Sequence, residues 1–334
     1  MLRYRIHFVV LILSFLLSTQ SIVSAGTWRL EEGEDWEVLE GEGSKEFLLA
    51  VAKIKELVNT GQTKAARKAF AALKEDFPEI AGPDFDLFVK AEIYFCKGKL
   101  AKAVKTHEKL LTEYPGSRFR RAALEREFSI AKAFLSGKRK VVLGFIRMKR
   151  YAEGIKIMDK VTEWAGIDSP IGVNAAVAVA ENYQQRKKYN DAYLKWWEIS
   201  LEYQAGRYGR DALLGMAQCK QAVYNMHPEP ERPFYDASCL STAKSCYEKF
   251  KLLYVKDAEE IGVDEILNEI NEQLGYKQYI IGRYYLSVGN KQAANLYYNM
   301  VVSDWPGTKA AELAKEMLVK NVDSSNSDKV PSEK

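Results

Sequence analysis

Side-chain catalysis calls for histidine, cysteine or paired carboxylates held at set spacings, and this sequence is poor in the first two. Its three histidines, His7, His107 and His227, are far apart, and none sits in the H-E-x-x-H spacing that puts two imidazoles on one helix face around a metal. No G-x-S-x-G elbow presents a serine. Gly137-Lys138 lacks the upstream glycine of a phosphate-cradling loop. The four cysteines, Cys96, Cys219, Cys239 and Cys246, contain no C-x-x-C pair, which argues against a zinc ribbon or a thioredoxin-type redox site. Cys239 and Cys246 fall on one predicted helix about 10 Å apart along its axis, too far to bridge. Cys219 either meets one of them across a helical hairpin or packs as a buried free thiol. Acidic pairs are common, as on any solvated helix surface. These residues predict no catalytic centre, metal or cofactor, and a chain that is not an enzyme.

The strongest local chemistry is basic. Lys138, Arg139, Lys140, Arg147, Lys149 and Arg150 flank the apolar run Val141, Val142, Leu143, Phe145 and Ile146. Such a patch suits acidic protein segments or anionic lipid, and its apolar centre suits peripheral membrane association. The plainer alternative is a solvated connector. Tyrosine is plentiful at 19. Tyr183, Tyr193, Tyr203, Tyr208, Tyr284, Tyr285, Tyr297 and Tyr298 either line a groove for extended peptides or pack between helices. The doublets cannot turn both rings inward on a helix.

The elements that must position these groups are helical, and they repeat. Gly61-Gln62-Thr63-Lys64-Ala65-Ala66 and Gly98-Lys99-Leu100-Ala101-Lys102-Ala103 share one frame, each followed at the same offset by an aromatic-proline pair, Phe77-Pro78 and Tyr114-Pro115. The frame returns as Gly289-Asn290-Lys291-Gln292-Ala293-Ala294, closing on Trp305-Pro306. Fainter copies centre on Gly154, Ala192 and Ala243. About six helical hairpins of tetratricopeptide length result, an all-α solenoid in which no strand pattern is read. Antiparallel helices approach closely only where the crossing residue is small, which assigns Ala66, Ala91, Ala103, Gly154, Ala192, Ala243 and Ala294 to the crossings. Phe70, Tyr94, Trp197 and Tyr297 are expected to fill the spaces between hairpins. Glycine ends helices at Gly61, Gly98 and Gly289, and Pro78, Pro115 and Pro306 stop them. A single hairpin cannot bury its apolar face; stacking does.

Composition fits. Of 334 residues 47% are hydrophobic, too many for a disordered chain. The 49 basic and 45 acidic residues leave a net charge of +4, too small to argue for nucleic acid. Arg3 and Arg5, the apolar run Phe8–Leu17 and the small residues Val23-Ser24-Ala25 read as a secretory signal over 1–25, alternatively kept as an anchor. An acidic, mostly unfolded leader is expected over 26–45, the repeats over 46–320 and a polar disordered tail over 321–334. The proline-rich stretch 226–235 reads as an extended loop inside a hairpin.

The second half carries a resemblance. Phe234-Tyr235-Asp236-Ala237 with Ala243 and Tyr247-Glu248-Lys249-Phe250, then Gly282-Arg283-Tyr284-Tyr285, Ala293-Ala294-Asn295-Leu296-Tyr297-Tyr298 and Trp305-Pro306-Gly307-Thr308, resemble the last repeats of BamD-like outer-membrane assembly lipoproteins. The turn Tyr114-Pro115-Gly116-Ser117 resembles the same feature earlier in the chain. The resemblance implies a non-catalytic scaffold at the periplasmic face of the outer membrane. Its implied partners are a barrel-assembly subunit or unfolded barrel substrates. An adaptor for cell-wall coordination or secretion is the alternative. The family's lipid-anchor cysteine follows its signal segment; Ser24-Ala25-Gly26-Thr27 contains none. The basic insertion at 137–150 is a second departure.

Overall fold

A computed structural model of the chain describes residues 27–29, 37–39, 45–137, 139–142 and 146–327. The signal segment expected over 1–25 lies outside them. Two units are distinguished, one ending at Ala103 and the other beginning at Val104. The protein is all-α, with fourteen α-helices among the described residues and two short strand pairs.

The first unit holds α1 (Lys45–Asn59), α2 (Thr63–Asp76), α3 (Pro83–Cys96) and the first turn of α4 (Leu100–Glu113). Gly61 takes φ +76, the left-handed backbone that lets α1 stop and α2 begin within a few residues. Ala66, Phe70 and Leu73 form the buried stripe of α2, and the Phe70 ring meets Phe85 edge-on at 6.4 Å. The Thr63 hydroxyl and Cys96 Sγ lie 3.3 Å apart, tying the start of α2 to the end of α3. Before the helices, β1 (Thr27–Arg29) pairs antiparallel with β2 (Glu37–Leu39). Part of the leader expected to be unfolded is thus a strand pair.

The second unit continues α4 and adds α5 (Arg120–Leu135), α6 (Tyr151–Ala165), α7 (Pro170–Gln185), α8 (Tyr189–Glu202), α9 (Gly206–Asn225), α10 (Ser238–Leu253), the short α11 (Val255–Ile261), α12 (Val263–Ser287), α13 (Lys291–Asp304) and α14 (Lys309–Ser327). Helix therefore enters the stretch expected to be a disordered tail and runs to Ser327. Sequential neighbours pack as pairs: α5 with α6, α7 with α8, α9 with α10, α12 with α13. The residues joining α9 to α10 contain a 3₁₀ turn, Glu229–Phe234, where an extended loop was expected. Proline fixes φ near the helical value and lacks an N–H, which a short tight turn tolerates.

One rule recurs in six helices, α2, α4, α6, α8, α10 and α13. A small residue is followed four and seven positions later by large ones, and all three are buried: Ala66, Phe70, Leu73; Ala103, His107, Leu110; Gly154, Met158, Val161; Ala192, Trp196, Ile199; Ala243, Tyr247, Phe250; Ala294, Tyr298, Val301. This i, i+4, i+7 stripe is one face of a helix, with the crossing residue at its start. It corrects the expected register by one residue at two places. Trp196, not Trp197, fills the core, with 4% of its surface exposed against 46%. Likewise Tyr298 is buried and Tyr297 is only partly so. The first helices of two pairs give way to these rings. A Cβ on Gly215 would stand 2.5 Å from the Trp196 indole, and one on Gly282 would stand 2.6 Å from Tyr298.

The last helix among the described residues, α14, packs on the α12–α13 pair. Ala310, Ala311 and Ala314 are buried against Tyr279 and Tyr298. The carboxylate of Glu272 accepts hydrogen bonds from the N–H groups of Lys309 (2.8 Å) and Ala310 (3.1 Å), capping the helix. Asn321 Nδ2 donates to Asn295 Oδ1 at 2.7 Å near its far end.

Candidate functional site: a charged row and a basic hairpin

The residues that could do histidine or thiol chemistry are spent on packing. His107 is fully buried in α4, in the stripe position that holds Phe, Met, Trp or Tyr elsewhere. His227 stacks on Tyr235 with ring centroids 3.7 Å apart. The four cysteines are free, and burial pushes the Cys219 thiol up to about 12, far from a reactive thiolate. No group of three metal-ligating side chains converges among the described residues.

Charged side chains do converge across α5, α7, α9 and α11. Glu181 on α7 has its pKa raised by loss of hydration and by the nearby charge of Asp211, against the pull of Lys132 on α5 and Arg207 on α9. Arg207 Nε lies 3.9 Å from Asp211. Arg210 donates from Nε to Asp211 Oδ1 (3.0 Å) and from Nη1 to Asp257 of α11 (3.1 Å). Those partners hold its guanidinium firmly cationic, the hydrogen bond to Asp211 most of all. Neutral rungs lie beside the charges. Tyr208 donates to Asn174 (3.2 Å), Gln184 to Gln218 (3.0 Å) and Trp196 Nε1 to Gln184 (3.1 Å). Cations and anions thus alternate across four elements in a row that suits an extended, charged polypeptide. Spacing within a single helix gave no sign of the whole row, because Lys132, Glu181 and Asp257 come from three helices other than α9, which holds Arg207, Arg210 and Asp211.

The basic stretch is built differently from expectation. Between α5 and α6 the chain forms β3 (Arg139–Val142) and β4 (Ile146–Lys149), paired antiparallel. The register sets Arg139 opposite Lys149, Lys140 opposite Met148, Val141 opposite Arg147 and Val142 opposite Ile146. Opposed residues share a face. Lys138 lies outside the described residues. Arg150 belongs to the fold rather than to a patch. Its side chain is 13% exposed, its guanidinium sits 4.0 Å over the Phe134 ring, and it ion-pairs with Glu153. Arg186 over Tyr151 (4.5 Å) and a buried hydrogen bond from Asn182 Nδ2 to the Leu135 carbonyl (3.1 Å) complete the anchorage of the helices at the hairpin's base. The alternation of Ile146-Arg147-Met148-Lys149 was the available signal for a strand.

The tyrosines divide. Tyr203 donates to the Ile167 carbonyl (3.0 Å) and packs on Tyr208, and Tyr285 stacks on Tyr297 at 5.4 Å. Tyr284 is exposed. Leu194, Trp197 and Leu201 form an exposed apolar stripe on α8.

Recurrent small-residue crossings and left-handed turns give the chain the all-α fold of tetratricopeptide-type helical hairpins. No protein-family model matches it, and no curated protein does. Among solved structures, the C-terminal part of a TPR repeat-containing protein from Cytophaga hutchinsonii aligns over 83% of this chain and 90% of its own, at 14% identity and a TM-score of 0.38. A tetratricopeptide repeat protein from Parabacteroides merdae aligns over 84% and 100%, at 17% identity and 0.32. PilW, a type IV pilus biogenesis factor, aligns over 81% and 99%, at 16% identity and 0.28. At these scores the class rests on the residues themselves.

Proposed function

We propose that the protein is an exported, non-catalytic scaffold that binds other polypeptides along the charged row of its second unit. The observation that carries this reading is the convergence of Lys132, Glu181, Arg207, Asp211, Arg210 and Asp257 from four separate elements. Folding alone does not call for such a row, since exposed ion pairs contribute about 0–1 kcal/mol each. No helix among the described residues is long and apolar enough to cross a membrane. The resemblance of residues 233–308 to BamD-like lipoproteins supports a place at the periplasmic face of the outer membrane, with β-barrel proteins or their assembly subunit as clients. The second reading is an adaptor in cell-wall coordination or secretion, with the same fold and a different client.

A photo-crosslinking side chain placed at Lys132 or Arg207, compared with one at Glu248 on α10, tests both. Polypeptide adducts at the first two positions and not at Glu248 are expected. A β-barrel protein in the adducts supports the first client class, and peptidoglycan enzymes support the second. Equal labelling at all three positions, or none, overturns the scaffold reading of the row.

A further inference from the structure

The turn between α9 and α10 keeps its polar groups in and its apolar ones out. Met226, Phe234 and Tyr235 are exposed, Phe234 by 75% of its surface. Polar ties hold the backbone beneath them. Tyr224, which is buried, donates from its hydroxyl to the Arg232 carbonyl (3.0 Å). Arg232 donates from Nε to the His227 carbonyl (2.9 Å) and from Nη2 to the Asn225 carbonyl (3.2 Å). Lys277 of α12 donates to the carbonyls of Pro233 (2.8 Å) and Tyr235. Pro228, Pro230 and Pro233 fix φ along the way. The His227 ring lies on Tyr235, whose hydroxyl donates to Glu231 at 3.4 Å. A backbone held this way has little freedom to tuck the Phe234 ring in. The charge around the rings is one-sided. Glu229, Glu231 and Asp236 are exposed, and none of them is ion-paired among the described residues. The two cations of the turn, Arg232 and Lys277, are turned to backbone carbonyls instead. Asp236 accepts hydrogen bonds from the Ser238 hydroxyl and N–H, which hold its carboxyl below the usual range and ionised.

We propose that this turn docks an arginine-bearing segment of another polypeptide, with a guanidinium on the Phe234 ring and Glu229, Glu231 and Asp236 as its counter-charges. A planar guanidinium stacks on an aromatic face while its N–H fork pairs with a carboxylate. An ammonium is compact and strongly hydrated and does both less well, so arginine is the matching cation rather than lysine. The ring is held in place before any partner arrives, so little conformational freedom is lost when one binds. The same carboxylates argue against a bilayer, because an anionic leaflet repels them. This contact goes beyond the scaffold reading. It uses no residue of the charged row, so either surface can fail while the other holds.

The test titrates purified full chain with a fluorescein-labelled octapeptide that sets three arginines among glycine and serine. Lysine and glutamate peptides of the same layout are the comparisons. The arginine peptide is expected to bind about fivefold or more tighter than the lysine peptide, and the glutamate peptide is expected not to bind. Phe234→Leu keeps apolar bulk without a π-face and brings the arginine and lysine affinities level. Glu229→Gln with Glu231→Gln weakens both cationic peptides about threefold or more. Phe234 is exposed, so its variants keep the native melting temperature, which a thermal melt checks. Glu181→Gln with Asp211→Asn leaves the titration unchanged, which separates failure of this contact from failure of the charged row. Equal arginine and lysine affinities in the native chain, or an arginine preference that survives Phe234→Leu, overturn the proposal in favour of plain charge attraction. Absence of peptide binding also overturns it. Should the native chain then bind phosphatidylcholine vesicles that Phe234→Ala does not, the ring belongs to a lipid surface.

Discussion

The stretch around α4–α6 and the stretch from α8 to α13 use one helical skeleton with opposite interiors. In the second, the stripe positions hold Trp196, Tyr247, Phe250 and Tyr298, and Cys219 and Cys246 pack among them as small apolar groups. In the first, His107 and Glu127 are fully buried, and Asn182 reaches in from α7. The Glu127 carboxylate accepts no hydrogen bond among the described residues. Burial, helped by the negative charge of Glu108, pushes it up to about 8, although Lys160 draws it down. Lys160 itself is engaged in an ion pair with Glu108 and lies 5.6 Å over the Trp164 ring. The hairpin skeleton thus needs volume at the stripe positions, not hydrophobicity throughout. Where the interior is polar, stability depends on protons; where it is apolar, it depends on shape.

Three substitutions break or sharpen that contrast. The largest effect belongs to the apolar interior: Phe250→Ala is expected to cost about 3–5 kcal/mol in a denaturant melt, because a fully buried ring leaves a cavity. A cost under about 1 kcal/mol would mean that this stretch is no better packed than the polar one. Next is Glu127→Gln. The folded protein holds a proton on Glu127 that the unfolded chain has lost above its ordinary value near 4.5. Stability of the native chain therefore falls as pH rises from about 4.5 to about 8 and levels off beyond. The glutamine variant removes that slope, gains on the order of 2 kcal/mol at pH 8 and gains little at pH 4. Parallel stability–pH curves for the two proteins would refute a buried neutral acid. The smallest effect is Arg150→Ala, expected to cost about 1–2 kcal/mol through loss of the stack on Phe134. Arg150→Lys should recover only part of it, since an ammonium cannot stack as a planar guanidinium does.

The skeleton was legible because its determinants are local and periodic. Gly61, Gly98 and Gly289 all have positive φ at helix-to-helix turns, and Ala66, Ala103, Ala192, Ala243 and Ala294 are completely buried. The choice between Trp196 and Trp197 was not legible, because a doublet satisfies the pattern in either register. Only the small residue four positions earlier, Ala192, decides it. The turn before α8 was read as a fainter copy of the frame, but its backbone was not: Lys187 adopts φ 58 at the place that Gly61, Gly98 and Gly289 hold in the clearest copies. For the surfaces, the basic composition of 138–150 was plain. Its folding into the β3–β4 pair follows from a register that composition does not contain, and Arg150's withdrawal into the fold follows from a contact with Phe134 across the insertion. The charged row lay beyond reach because its members are spread from Lys132 to Asp257.

A stack of identical modules has no internal reason to stop, and its last member offers an apolar flank to whatever comes next, another copy included. Here α14 covers that flank of the α12–α13 pair. Three alanines seat it flush on the final pair, and Glu272 ties down its opening turn with two backbone hydrogen bonds. Loss of α14 would bare Tyr279 and Tyr298, so the order of the pair before it is tied to a helix outside that pair.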